Sequence, residues 1–320
     1  MLRFAGGEVE YVVDGPEDAP ELLIFHLGTP CAAVPFDSLT RAAAAAGMRT
    51  AIYSRPGYGA SARRPGRLIA DEAATSAALA DLLGYERFFT AGWSGGGPVA
   101  LACAALLPDR VRACVTLGSL APWHEAGDVS IGWFEPAVLA DWQHLGSAPE
   151  PELVPEFEAA SALVARRTVR GWASDPRANA ADREATLAPG GLGRAIVGSM
   201  RRAVSTGYHG FLDDNVAEAR DWGFRVAAIR VPVVVRHGIA DGYVNVAHGR
   251  WLVETIAGAR GVFPPDAGHT SILQPWDEVA GLLVQAALGD GCPGSRGAIG
   301  SPRRCPPRVG HRRIGAGGSP

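Results

Sequence analysis

The chain has 320 residues, 47% of them apolar, and a formal net charge of −3; it can bury a substantial core and has no global attraction to nucleic acid or an anionic membrane. All 30 basic residues are Arg, which excludes a phosphate loop with its lysine and a pyridoxal Schiff base. The five cysteines are scattered without a CxxC spacing, so neither a disulfide framework nor a zinc site is signalled, and reduced thiols in the cytoplasm are expected.

The N-terminus, MLRFAGGEVE, has no apolar stretch like the core of a signal peptide, and the longest apolar run, Val99 to Leu107, is too short to span a bilayer. Glu8 to Val13 and Leu22 to Phe25 read as strands, and Phe36 to Ala46 reads as a helix ended by Gly47. Thr50 to Tyr53 is the next strand, closed by the Pro56-Gly57 turn. A helix over Asp71 to Leu83 carries an apolar stripe and stops at Gly84. Strand Phe88 to Ala91, helix Gly96 to Leu107 and strand Val111 to Leu117 follow, the alternation of a mostly parallel sheet covered on both faces.

From about Ala121 to Trp222 the strands cease and amphipathic segments take over, among them Glu135 to Trp142, Val154 to Arg167 and Arg194 to Val204. Alternation resumes with strand Val231 to Arg236, helix Val244 to Ala257, strand Arg260 to Phe263 and helix Ser271 to Leu288. The expected organisation is therefore one α/β core built from residues 1–120 and 223–288, with a helical insertion over 121–222. Residues 289–320 are rich in Gly, Pro and Arg and poor in large apolar residues, the composition of a disordered basic tail. The stretch 290–320 holds six arginines and one acid, a charge of +5 against −8 for the rest.

Gly92-Trp93-Ser94-Gly95-Gly96 fits the G-x-S-x-G nucleophile turn in its required setting, a strand before it and a helix after it. A serine hydroxyl needs a general base within hydrogen-bond reach. Of the eight histidines, His269 follows the last strand and precedes the last helix, the placement that serves Ser94; His26 and His237 sit at strand ends as structural hydrogen-bonders. The acid that orients the base is Asp241, in the loop after strand Val231 to Arg236, with Asp128 or Glu125 as the weaker alternatives and an N-cap as the ordinary role of such a loop aspartate. The oxyanion of a tetrahedral intermediate needs preorganised donors. Gly95 N–H opens a helix, and Thr29 N–H lies in the loop His26-Leu27-Gly28-Thr29-Pro30, which reads equally as an ordinary turn. All four loops leave the C-terminal edge of a parallel sheet, where open α/β sheets bind ligands.

With these residues in this order the chain resembles the α/β-hydrolase superfamily over roughly residues 1–288, in the branch with the turn Arg55-Pro56-Gly57-Tyr58-Gly59-Ala60-Ser61 and a helical cap. The resemblance implies an α/β-hydrolase fold, a Ser94-Asp241-His269 triad, and a lid over the pocket formed by residues 121–222. The segment His26 to Pro30 differs from the HGGPG of proline iminopeptidases, which disfavours peptide cleavage, and Ser94 stands where haloalkane dehalogenases and epoxide hydrolases have aspartate.

The expected activity is a serine esterase acting on a small molecule through an acyl-enzyme, with no metal or organic cofactor and with neither nucleic acid nor a membrane as partner. An amidase, a C–C bond hydrolase and a non-catalytic binding protein of the same fold are the alternatives. A nucleotide loop at Gly92 to Gly97 has no downstream ribose-binding acid, and His124-Glu125 begins an H-E-x-x-H pattern that ends in Asp128. Trp133, Phe134, Trp142, Trp172 and Tyr208 in the insertion are candidates to line an apolar acyl pocket, and Trp93 to face it.

Overall fold

A computed structural model gives the fold, described for residues 1–4, 7–189 and 191–288. The expected basic tail and the two cysteines within it lie outside the described residues. Strands β1 (Leu2–Phe4) and β2 (Gly7–Val9) pair antiparallel in a small sheet of their own. The main sheet has seven strands, β3 (Tyr11–Asp14), β4 (Glu21–His26), β5 (Met48–Tyr53), β6 (Phe88–Trp93), β7 (Val111–Leu117), β8 (Val233–Arg236) and β9 (Arg260–Val262), in the order β3-β5-β4-β6-β7-β8-β9. Only β3 runs antiparallel to its neighbour; every other pairing is parallel.

Helices α1 (Asp37–Ala45), α2 (Glu72–Leu82) and α3 (Gly96–Leu106) connect the first strands. Along β4 the side chains alternate between two cores: Leu23 and Phe25 join α1 residues such as Leu39, while Leu22 and Ile24 join Leu79 of α2 and Val99 of α3. A strand with both faces buried reads as a continuous apolar run, as Leu22 to Phe25 does within Glu21–His26.

Between β7 and β8 lie α4 (Pro136–Ser147), α5 (Glu150–Ala165), α6 (Val169–Ala173), α7 (Ala180–Leu187), α8 (Leu192–Ala203) and α9 (His209–Ala219). The core closes with α10 (Val246–Thr255) and α11 (Trp276–Leu288). Among the described residues no helix is long and apolar enough to cross a membrane.

Several boundaries differ from the sequence reading. The run Glu8 to Val13 is broken at Glu10 and serves two sheets: Glu10 takes the Ser54 N–H on its carbonyl (2.8 Å) and gives its own N–H to Ser61 Oγ (2.9 Å). Asn245 caps α10 by accepting from Ala247 N–H (2.9 Å), which moves the helix start beyond Val244. The last helix begins only at Trp276, because Pro275 confines Gln274 to extended backbone; Ser271–Leu273 form a separate short turn of helix. In the insertion α4, α5 and α8 follow the apolar periodicity, whereas α6, α7 and α9 do not announce themselves.

Candidate active site

Ser94 follows β6 and precedes α3 with φ of 54°, the one non-glycine residue with positive φ among the described residues. A side chain is rarely held in that conformation, and its retention marks a tight strand-to-helix turn. The flanking glycines make the turn possible. A Cβ on Gly92 would overlap the Gly96 carbonyl, and one on Gly96 would overlap the His26 carbonyl. A Cβ on Gly28 would stand 3.0 Å from Ser94 Cβ, so the absent side chain there lets the Thr29 loop close over the serine.

Ser94, Thr29, Gly95, Asp241 and His269 line one cavity of about 510 Å³, within the range of small-molecule sites. His269 Nδ1 is 2.8 Å from Asp241 Oδ2. The other oxygen, Oδ1, accepts from the N–H groups of Tyr243 (2.8 Å) and Val244 (3.0 Å). The N-cap-like bonds of a loop aspartate and the contact to histidine thus coexist, one oxygen each. Burial opposes ionisation of Asp241, but His269 and these hydrogen bonds outweigh it and hold the carboxyl below its ordinary value. With Nδ1–H donated to Asp241, Nε2 is the free acceptor of the ring. Ser94 Oγ has no hydrogen bond to His269 among the described residues; such contacts commonly tighten only when substrate is bound.

The imidazole is held from several sides. Tyr243 stacks on it at 5.0 Å, Trp93 lies at 5.3 Å, and the Trp93 indole N–H donates to the His269 carbonyl (2.8 Å). Asp182, from α7 and 1% exposed, accepts from the N–H groups of His269 (3.1 Å), Thr270 (2.9 Å) and Ser271 (2.8 Å) and from the Ser271 hydroxyl (2.8 Å). A Cβ on Gly268 would overlap this carboxylate. Helix α7 therefore fixes the loop that carries His269, a role the sequence does not signal because Asp182 is 87 residues away from it.

The alternatives lie elsewhere. Asp128 is exposed, and Glu125 faces Arg225 at 3.4 Å; neither lines the cavity. His26 bonds Thr90 Oγ1 (3.0 Å) and is pushed down to about 3 by burial and by the Arg55 charge. His248, against the cavity wall, accepts from Ala121 N–H (3.0 Å) and is lowered to about 3, chiefly by burial. Trp93, Trp133, Phe134, Trp142 and Trp172 line the cavity as expected; Tyr208 instead stacks on His209 at 4.3 Å.

Behind the Thr29 loop lies an ionic cluster that the sequence did not reveal. Asp214 of α9 receives Arg55 Nε (2.9 Å) and Arg55 NH2 (2.5 Å), and also pairs with Arg67. Asp213 pairs with Arg63 at 2.8 Å. Burial disfavours the Asp214 charge, yet the two guanidinium groups prevail and hold its carboxyl far below the usual range. Arg55 also donates to the carbonyls of Leu27 and Gly28 (2.5 and 3.1 Å), tying the cluster to the loop that carries Thr29. Glu218, one turn after Asp214, reaches Thr29 Oγ1 at 2.6 Å and lines the cavity.

Comparison with known proteins agrees with this architecture. The sequence model of the alpha/beta hydrolase fold matches residues 21–143. A pimeloyl-acyl-carrier-protein methyl ester esterase from Aromatoleum aromaticum is 26% identical over 258 residues, covering 76% of this chain and 89% of its own length. Among solved structures, a hydrolase from Pseudomonas aeruginosa superposes with a TM-score of 0.61 at 23% identity, over 90% of this chain and 97% of its own. An enol-lactonase from Burkholderia xenovorans gives 0.62 at 21% identity, over 88% and 96%.

Proposed function

We propose that this chain, whose fold is that of the alpha/beta hydrolases, is a serine hydrolase that cleaves a small ester through an acyl-enzyme. The observation that carries this reading is the convergence on one cavity of a serine at positive φ and a histidine bonded at 2.8 Å to a carboxylate. His269 Nε2 takes the proton from Ser94 Oγ as the oxygen attacks the ester carbonyl. The tetrahedral oxyanion is held by the N–H groups of Gly95 and Thr29. Collapse expels the alcohol, which takes its proton from His269, and water deacylates the serine by the same steps in reverse roles. Asp241 keeps the imidazole in the Nδ1–H tautomer and stabilises its cationic form.

An ester is favoured over an amide by the esterase name of the Aromatoleum relative and by the departure of His26 to Pro30 from the peptidase pattern. Helices α4 to α9 act as the cap, and their aromatic side chains form the acyl wall. Cys31, Cys103 and Cys114 are free and buried, which fits a reducing, cytoplasmic setting.

A panel of p-nitrophenyl esters of graded acyl length, with a lactone and a proline anilide alongside, tests the assignment. We expect turnover of short and medium esters with kcat of about 1–10³ s⁻¹ and amide turnover far slower. Amide cleavage as fast as ester cleavage, or no turnover of any member, contradicts it.

A further inference from the structure

The hydroxyl of Thr29 lies within hydrogen-bond reach of two carboxyl oxygens, Glu218 Oε1 at 2.6 Å and Asp214 Oδ2 at 3.1 Å, and of one guanidinium nitrogen, Arg55 NH2 at 3.1 Å. A threonine hydroxyl has one hydrogen to give and two lone pairs to receive. All three contacts are satisfied together only if one carboxyl supplies a proton of its own. Asp214 is not the one, since Arg55 and Arg67 both pair with its oxygens. Among the described residues no guanidinium lies within bonding distance of Glu218, which is only 5% exposed.

The position of this carboxyl relative to the reaction is equally specific. A Cβ on Gly95 would collide with both Glu218 Oε1 and Thr29 Oγ1, so the carboxyl sits against the residue proposed above to hold the oxyanion. A negative charge there would oppose the oxyanion, while a neutral carboxyl would not.

Resting on the serine-hydrolase reading above, we propose that Glu218 is a positioning residue that works in its protonated form: it donates to Thr29, Thr29 donates to Asp214, and loss of the Glu218 proton disables the oxyanion hole. The charged and titratable groups around it are Asp214 on its own helix, Arg55 and Arg67 from the segment after β5, Glu72 of α2 behind Arg67 at 3.7 Å, and, lining the same cavity, the Asp241-His269 pair with Glu135, Arg167, Arg177 and His248. The balance among them supports the geometry. Burial, and then the charge of Asp214, push the Glu218 carboxyl up to about 7, against the two arginines and the hydrogen bond that Thr29 gives the ionised carboxylate.

Two measurements on the full-length protein test this. Infrared difference spectroscopy should show a non-ionised carboxyl band lost with a midpoint near 7 in the wild type and missing from Glu218→Gln. With a neutral p-nitrophenyl ester, wild-type kcat should fall on the order of tenfold between about pH 6.5 and pH 8.5, with KM little changed, and Glu218→Gln should lose that fall. A purely structural Glu218 would lower activity at every pH alike. No variant is needed for the decisive contrary result: wild-type kcat that does not decline up to about pH 9, or no carboxyl band titrating above about pH 6, overturns the proposal. If the wild type turns over no ester at all, the hydrolase reading fails, and the infrared titration alone decides the protonation of Glu218.

Discussion

Ser94→Ala is expected to lower kcat by on the order of 10⁶ while leaving KM within a few-fold, because nucleophile, base and acid act as a unit and losing one forfeits nearly the whole of their contribution. What remains should be the residual acceleration supplied by binding and the oxyanion hole, about 10³–10⁴ over water. The substitution removes one oxygen from a half-buried position and relieves no packing, so the melting temperature should hardly move. A loss of less than about 100-fold would mean that Ser94 is not the attacking atom.

The second large effect concerns stability. Asp214→Ala should destabilise the protein by about 3–5 kcal/mol, because it leaves Arg55 and Arg67 buried without the counter-ion they share. Their exposures of 3% and 4% leave no access to water that could replace it. For a domain of this size that corresponds to a melting temperature lower by roughly 10 °C, measured by circular dichroism at neutral pH. A shift below about 2 °C would show that the cluster does not hold the helical insertion to the core. The sign of the pH dependence follows from the depressed Asp214 carboxyl. Its stabilisation is present above the ordinary carboxylate range and is lost as pH falls through that range toward the folded value.

These two predictions draw on parts of the chain that the sequence exposes very unequally. The cavity positions of Ser94, Gly95, Thr29, Asp241 and His269 are legible because each lies in a loop that follows an apolar strand, and parallel strands deliver such loops to one edge. The strand and helix order of the core was legible for the same reason, since residues such as Leu22 to Phe25 alternate between two buried layers and read as an unbroken apolar run. The boundary at Glu10 was not. It is set by bonds to Ser54 and Ser61, 44 and 51 residues away.

Helix α9 shows the limit most plainly. Its buried residues include Asp213, Asp214 and Glu218 beside the apolar Leu212 and Ala219, so acids of a kind that ordinarily mark a solvated face lie inside. Its partners are arginines that lie 147 to 159 residues earlier. The turn from Arg55 to Ser61 is legible as a motif, while its structural role lies in the bonds of Arg55 to Asp214 and to the Leu27 and Gly28 carbonyls. Asp182 was hidden in the same way, as an acid whose N–H partners belong to a distant loop.

The central claim, a covalent intermediate on Ser94, is tested most directly by intact-protein and peptide mass spectrometry after reaction with a fluorophosphonate. We predict one adduct per chain, located on Ser94, abolished by Ser94→Ala and strongly slowed by His269→Ala. A chain that stays unlabelled while folded, or an adduct on any other residue with Ser94 unmodified, would contradict the account.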